Sequence, residues 1–168
     1  MGLWTVLLGA LLAAGLLFRW LARRDDARRT LAWDPLARDF MLAFDPGAQS
    51  IRGKYRLLRL ELTARRPLPG LGAWRTRVLA GYEGVVPEGL QLEALGAELR
   101  ASARAPEALR AWLDAHRRRE LLPALLRGGV HVSGHTARVE VPGLLTDPEA
   151  LRTLLGQLAE LAKLLSRR

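Results

Sequence analysis

Side chains that can move a proton, hold a metal or attack a carbonyl are few in this chain. Its 168 residues include no cysteine, which removes disulfides, thiolate metal ligands and a thiol nucleophile. The histidines are His116, His131 and His135. The last two are four apart, a spacing that suits metal ligation from one helix face. Gly134 between them and the alternating run Thr136–Val141 predict a hairpin instead, with Glu140 the one close carboxylate. Histidines on a hairpin surface are therefore expected, and no metal centre. His116 falls at the end of an expected helix, where the dipole favours an imidazolium. The carboxylates are scattered, most beside arginines, whereas acid–base catalysis needs two that converge. The chain contains no GxSxG, GxxxxGK[ST], HExxH or GxGxxG. The sequence thus predicts no catalytic, cofactor-binding or metal-binding residue, no cofactor, and a protein that is not an enzyme.

Positive charge is the other possible source of chemistry. The net charge is +9, and Arg outnumbers Lys 24 to 2, a bias expected of a GC-rich coding sequence. The densest point is Arg117-Arg118-Arg119, read as a solvated junction between two helices, with phosphate contact as the alternative. Nucleic-acid binding usually interleaves aromatics with basic residues. No Trp or Tyr lies close to this run, and Trp74, Tyr82 and Trp112 read as core, so nucleic acid is not an expected partner. A second group, Arg19, Arg23, Arg24, Arg28 and Arg29 against Asp25 and Asp26, supplies +3 of the total. The excess favours anionic partners, lipid headgroups first.

That second group directly follows the stretch to which the rest of the chain is attached. Gly2–Phe18 is 17 residues without a charge. At ~1.5 Å per residue it covers ~26 Å, and running on to Leu21 brings it to the ~30 Å of a bilayer's hydrocarbon. Trp4 and Trp20 bracket it as interfacial aromatics would, and Arg19 can snorkel to the headgroups. No basic residue precedes the run and no small-residue cleavage site follows it, so a removable signal is not expected. Without cysteine there is no lipoprotein anchor, and Val6 stands where myristoylation wants Ser or Thr. The expectation is a single-pass membrane helix over residues 1–22, with Trp4, Arg19, Trp20, Arg23, Arg24, Arg28 and Arg29 at the membrane interface. Residues 19–33 are expected to extend this helix out of the bilayer, with 23–33 a basic juxtamembrane linker, and an α+β domain follows over 34–168. Arginines retained on the inner side place that domain in the cytoplasm of a bacterial cell, on its inner membrane.

The expected domain is an antiparallel sheet packed by C-terminal helices. Asp34-Pro35 reads as a helix start, leading into Leu36–Phe44. Tyr55–Leu62 places Leu58, Leu60 and Leu62 opposite Arg59 and Glu61. Trp74–Ala80 places Trp74, Thr76 and Val78 opposite Arg75 and Arg77, and the Pro/Gly loop Arg66–Gly72 joins the two strands. Leu90–Leu95 and Glu98–Ala103 are weaker strands. Pro106–His116 and Leu121–Arg127 read as helices, the second ended by Gly128-Gly129. Thr146 with Glu149 suggests a capping box opening a helix whose stripe runs Leu151, Leu154, Leu155, Leu158, Leu161, Ala162 and Leu165. This stripe packs on the sheet or zips two chains together. PEALR occurs at Pro106–Arg110 and again at Pro148–Arg152, suggesting two strand–strand–helix units.

Ser50-Ile51-Arg52-Gly53, the run Leu121–Gly129 before the hairpin, and Asp147–Leu151 with its leucine helix give a further pointer. In these the chain resembles bacterial single-pass membrane proteins of no assigned function that carry a small α+β domain behind one N-terminal span. The resemblance implies an architecture and brings no active site. The expected function is a membrane-anchored interaction or scaffold module with a protein partner or a second copy of itself; the alternative is a domain that binds or senses anionic lipid or another anionic ligand.

Overall fold

The computed structural model describes residues 3–96 and 98–167, with side chains from Leu7 onward. It is α+β. Helix α1 (Leu3–Asp39) is followed by strands β1 (Ala43–Asp45), β2 (Ser50–Tyr55), β3 (Leu58–Arg65), β4 (Arg75–Gly81), β5 (Gln91–Leu95) and β6 (Glu98–Ser102). Helices α2 (Pro106–Asp114) and α3 (Arg118–Leu125) come next, then β7 (His131–Ser133), β8 (Thr136–Pro142) and helix α4 (Pro148–Ser166). The strands form one eight-stranded sheet of order β1-β2-β3-β4-β8-β7-β5-β6, every neighbouring pair antiparallel.

Alternation divides the sheet into two faces. Ile51, Leu58, Leu60, Leu62, Val78, Ala80, Val132, Ala137 and Val139 lie on one face, buried in a single core with residues of all four helices. These include Trp33 and Leu36 of α1, Leu109 of α2, Leu122 of α3 and Leu151, Leu155 and Leu158 of α4. The other face has no helix on it among the described residues and carries Arg52, Arg59, Arg75, Arg77, Arg100 and Arg138 with Glu61, Glu93, Glu98 and Glu140.

Several sequence expectations change here. Asp34-Pro35 does not start a helix, because α1 runs through it with Pro35 inside. Trp33, Leu36, Ala37 and Phe40 hold a buried stripe at helical spacing across the proline. Burying that stripe outweighs the ~3 kcal/mol an interior proline costs. The helix ends at Asp39, so the stretch expected to be helical to Phe44 supplies strand β1 instead. Residues 23–33 continue the same helix, as the sequence suggests; what changes is that its inner side is docked on the domain. Tyr55–Leu62 is two strands, not one. Arg56, at φ 54°, makes the turn between β2 and β3 without the glycine or asparagine that would have announced it. The cap of α4 is Asp147, whose side chain accepts from the Glu149 N–H, and not Thr146.

Other expectations match. Leu58, Leu60 and Leu62 face the core, Gly128 and Gly129 (φ 82° and 78°) close the helical stretch, and β7–β8 is a hairpin turning at Gly134. Leu151, Leu155, Leu158, Leu161, Ala162 and Leu165 are all buried within the chain, where the stripe packs. Each PEALR opens a helix after a hairpin, α2 after β5–β6 and α4 after β7–β8. Among the described residues no helix is long and apolar enough to cross a membrane.

Candidate functional site

The most conspicuous unpartnered surface is the first half of α1. Leu7, Leu8, Leu11, Leu12, Leu16, Leu17, Phe18 and Trp20 are all exposed, Leu11 at 71%. Fully burying a large apolar side chain is worth ~1.5–3 kcal/mol, so these eight forgo on the order of 10 kcal/mol while they face water. An exposed patch of this kind marks an interaction surface. Arg19, Arg23, Arg24 and Arg28 are exposed on the next turns, with the Arg24 guanidinium 5.5 Å from the Trp20 ring centre. The side chain of Trp4 lies outside the described residues. Arg29 departs from the expected interfacial group. It turns into the domain, where it donates to the Ala64 carbonyl at 3.0 Å, pairs with Asp26 and lies 5.2 Å from the Trp74 ring centre.

Arg29 belongs to a joint between α1 and the end of the β3–β4 hairpin, and the key residue there is Asp25. Its side chain is buried, with Oδ1 accepting from Arg66 Nη1 at 3.0 Å and Oδ2 from the Gly70 N–H at 2.7 Å. Arg66 in turn lies 4.8 Å from the Trp74 ring centre, so Trp74 has a guanidinium from each element against it. Cation–π contacts of this kind add to the ion pair. Gly70, at φ +73°, is required twice over: the turn needs a left-handed residue, and a Cβ would stand 2.6 Å from Leu21 Cδ2. Further along, Trp33 Nε1 donates to the Leu145 carbonyl at 2.9 Å and fixes the helix to the strand-to-α4 connection.

Beside this joint, Thr63, Arg65, Arg66, Pro67, Arg75, Arg77 and Glu140 line a surface hollow of about 260 Å³. Arg65 and Arg75 are directly opposite across the β3–β4 ladder, a like-charge pairing that disfavours the sheet. Arg66 is compensated by Asp25, and Arg77 by Glu140 at 3.0 Å. Among the described residues no carboxylate pairs with Arg65 or Arg75. Glu140 also accepts from Arg138, and the bonds from Arg138 and then Arg77 hold its carboxyl below the usual glutamate range. The hollow therefore carries unneutralised positive charge with hydrogen-bond donors suited to a phosphate or carboxylate.

The sequence-dense arginines take another role. Arg117 pairs with Glu120, and Arg119 with Asp114 at 3.1 Å. Arg118 is buried, with Nη1 donating to the Trp112 carbonyl at 2.8 Å, Nε to Leu164 at 3.3 Å and Nη2 to Arg167. It thereby satisfies carbonyls at the C-terminal end of α4, which have no partner within the helix. Burial and, secondarily, nearby Arg167 pull this guanidinium below its ordinary value. His116 and Arg117, both left-handed at φ 54° and 56°, turn the chain so that Arg118 points inward. Trp112, which the sequence places away from the triplet, stacks 4.5 Å from Arg118.

The fold does not bring the histidines together. His131 is exposed on β7, 3.7 Å from Glu93, while His135 sits in the β7–β8 turn with Nε2 3.0 Å from the Gly84 carbonyl. Among the described residues no group of three potential ligands could hold a metal. Tyr82 is core as expected: its hydroxyl donates to the Gly134 carbonyl at 2.5 Å, and burial pushes its pKa up. Trp74 and Trp112 pack against the core but are only half-buried, with arginines over them. The sequence treated Asp25 as a minor charge and missed Arg65 with Arg75. Only the strand register around the Pro/Gly loop could have exposed that pair.

Comparison with known proteins yields no match: no family model, no curated protein and no solved structure is significantly similar to this chain.

Proposed function

We propose that the chain is a single-pass membrane protein whose α+β domain, held at the cytoplasmic surface, is a non-enzymatic interaction module. The observation that carries this reading is the first half of α1, apolar and exposed around its whole circumference while the second half is built into a finished core. A soluble helix shows one polar face; a helix apolar all round belongs in lipid or protein. The charge-free run extends back to Gly2, through Leu3–Val6, whose side chains are outside the description. Exposed Arg19, Arg23, Arg24 and Arg28 favour the inner side of the membrane. The interaction surface is the helix-free face of the sheet, rich in arginine and centred near Leu79, which suits an acidic protein partner.

Membrane fractionation tests the anchor. The full chain should stay with the membrane pellet through alkaline extraction and leave it with detergent, and L8R/L12R should shift it to the supernatant. Wild-type chain that is soluble without detergent sinks the reading. For the module, a photo-crosslinker at Leu79 should trap a discrete partner, lost when Arg138→Glu is added, whereas one at Lys163 on the exposed side of α4 should not. Equal labelling from both positions, or none, counts against the sheet face.

A further inference from the structure

We infer that the end of the β3–β4 hairpin is a second, reversible membrane contact, in which Leu68 and Leu71 enter the interface and Arg65 with Arg75 takes an anionic lipid headgroup. This rests on the reading of α1 as an anchor and deepens it, because it assigns a headgroup site to residues of the folded domain.

The placement comes from the joint described above. The Gly70 backbone is packed on Leu21, three residues beyond Phe18, the last residue of the charge-free run. Three residues of helix are ~4.5 Å. The polar interfacial zone of a bilayer is ~5–7 Å deep on each side of the hydrocarbon. With the hydrocarbon edge falling between Phe18 and Leu21, the loop packed on Leu21 lies at the boundary of hydrocarbon and headgroups. Two hydrogen bonds to the buried Asp25 carboxylate, from Arg66 and the Gly70 N–H, hold it there.

At that level the loop shows the composition of an interfacial segment. Leu68 and Leu71 bridge each other, the Leu71 N–H donating to the Leu68 carbonyl at 3.0 Å, and both side chains are exposed, at 55% and 62%. Backbone pairing leaves these leucines at the loop tip with no core to enter. Immediately behind them, Arg65 and Arg75 face each other on the rim of the 260 Å³ hollow without a carboxylate partner among the described residues. Apolar tips ahead of paired guanidiniums match the order of acyl chain and phosphate met on approaching a bilayer. A soluble anion would account for the arginines and leave the exposed leucines unexplained. Lipid accounts for both.

Because the chain has no cysteine, one introduced cysteine can be labelled cleanly. The full chain, reconstituted into vesicles, would carry an environment-sensitive fluorophore at Leu71→Cys, or separately at Leu68→Cys, with nitroxide-bearing lipid as quencher. In vesicles containing phosphatidylglycerol the label should be blue-shifted and quenched by a shallow nitroxide, and less so in pure phosphatidylcholine. R65Q/R75Q should lower the docked-to-undocked ratio in phosphatidylglycerol roughly fivefold per arginine, bringing it near the phosphatidylcholine value. A label at Met41→Cys, at the other end of the docked part of α1, should stay unquenched. Quenching at Leu71 that ignores phosphatidylglycerol content, or survives R65Q/R75Q unchanged, overturns the headgroup assignment, and so does quenching reversed by inorganic phosphate alone in phosphatidylcholine. A deep label at Leu12→Cys separates the two failures. If Leu12 is quenched and Leu71 is not, this inference falls and the anchor stands. If neither is quenched, both fall.

Discussion

Two groups of arginines show how charge acquires a role. Arg117, Arg118 and Arg119 are adjacent in sequence, and the fold takes them apart: two pair with neighbouring carboxylates, and the middle one is buried against three main-chain carbonyls. Arg65, Arg66, Arg75 and Arg77 are spread over thirteen residues. The strand register draws them to one hollow, with Arg65 and Arg75 uncompensated by carboxylates among the described residues. The cluster that a reader of the sequence notices is structural. The cluster that can take a ligand is made by pairing two strands. Density along a chain says little about field strength in space, because each guanidinium's effect depends on which carboxylates and carbonyls the fold brings to it.

The largest separation between the groups should appear in stability. Arg118→Ala removes three hydrogen bonds from a charged donor and leaves the end of α4 uncapped, so it should cost about 3 kcal/mol. Denaturant unfolding of the full chain in a mild detergent measures this. A loss below about 1 kcal/mol, the range expected for its exposed neighbours Arg117 and Arg119, would erase the distinction. Smaller and of opposite sign, R65Q/R75Q should leave stability unchanged or raise it by up to about 1 kcal/mol, since it removes a like-charge pair across the ladder. A clear destabilisation in the same assay would show that these arginines also serve the fold.

The smallest effect concerns pH. Glu140 is held by Arg138 and Arg77 with its folded-state pKa below the unfolded one. The stability it contributes is thus present above the ordinary glutamate value of ~4.3 and is lost as pH falls through its lower folded value. The acid limb of a Tm-against-pH curve should therefore be shallower in Glu140→Gln than in the wild type, with the two curves parallel above pH 6 or so. Identical acid limbs would mean that the two arginines do not hold this carboxylate.

The same contrast explains what could be read from the sequence. Short-range patterns survived folding: the alternation of Leu58, Leu60 and Leu62, the stripe of α4 and the Gly128-Gly129 stop each follow from a local period or a local φ. What escaped depended on partners far along the chain. Pro35 reads as a start signal until Trp33, Leu36 and Phe40 are seen to bury one continuous stripe. Arg56 carries no turn signature, and the turn is imposed by the pairing of Tyr55 with Leu58. Asp25 looks like a diluting charge in a basic collar until residues 41 and 45 positions later arrive to bond it. No sequence motif encodes the Arg65–Arg75 pair, which exists only because those residues are in register.

Helix α1 is unbroken from Leu3 to Asp39, and its proline lies in the part already clamped by Trp33, Leu36 and Phe40. It has no swivel between Leu7 and Trp33. Twisting or leaning the exposed end must swing the whole sheet through a comparable angle, with the Asp25 clasp keeping the loop in step. Mechanical orientation, rather than reach, is what this geometry transmits.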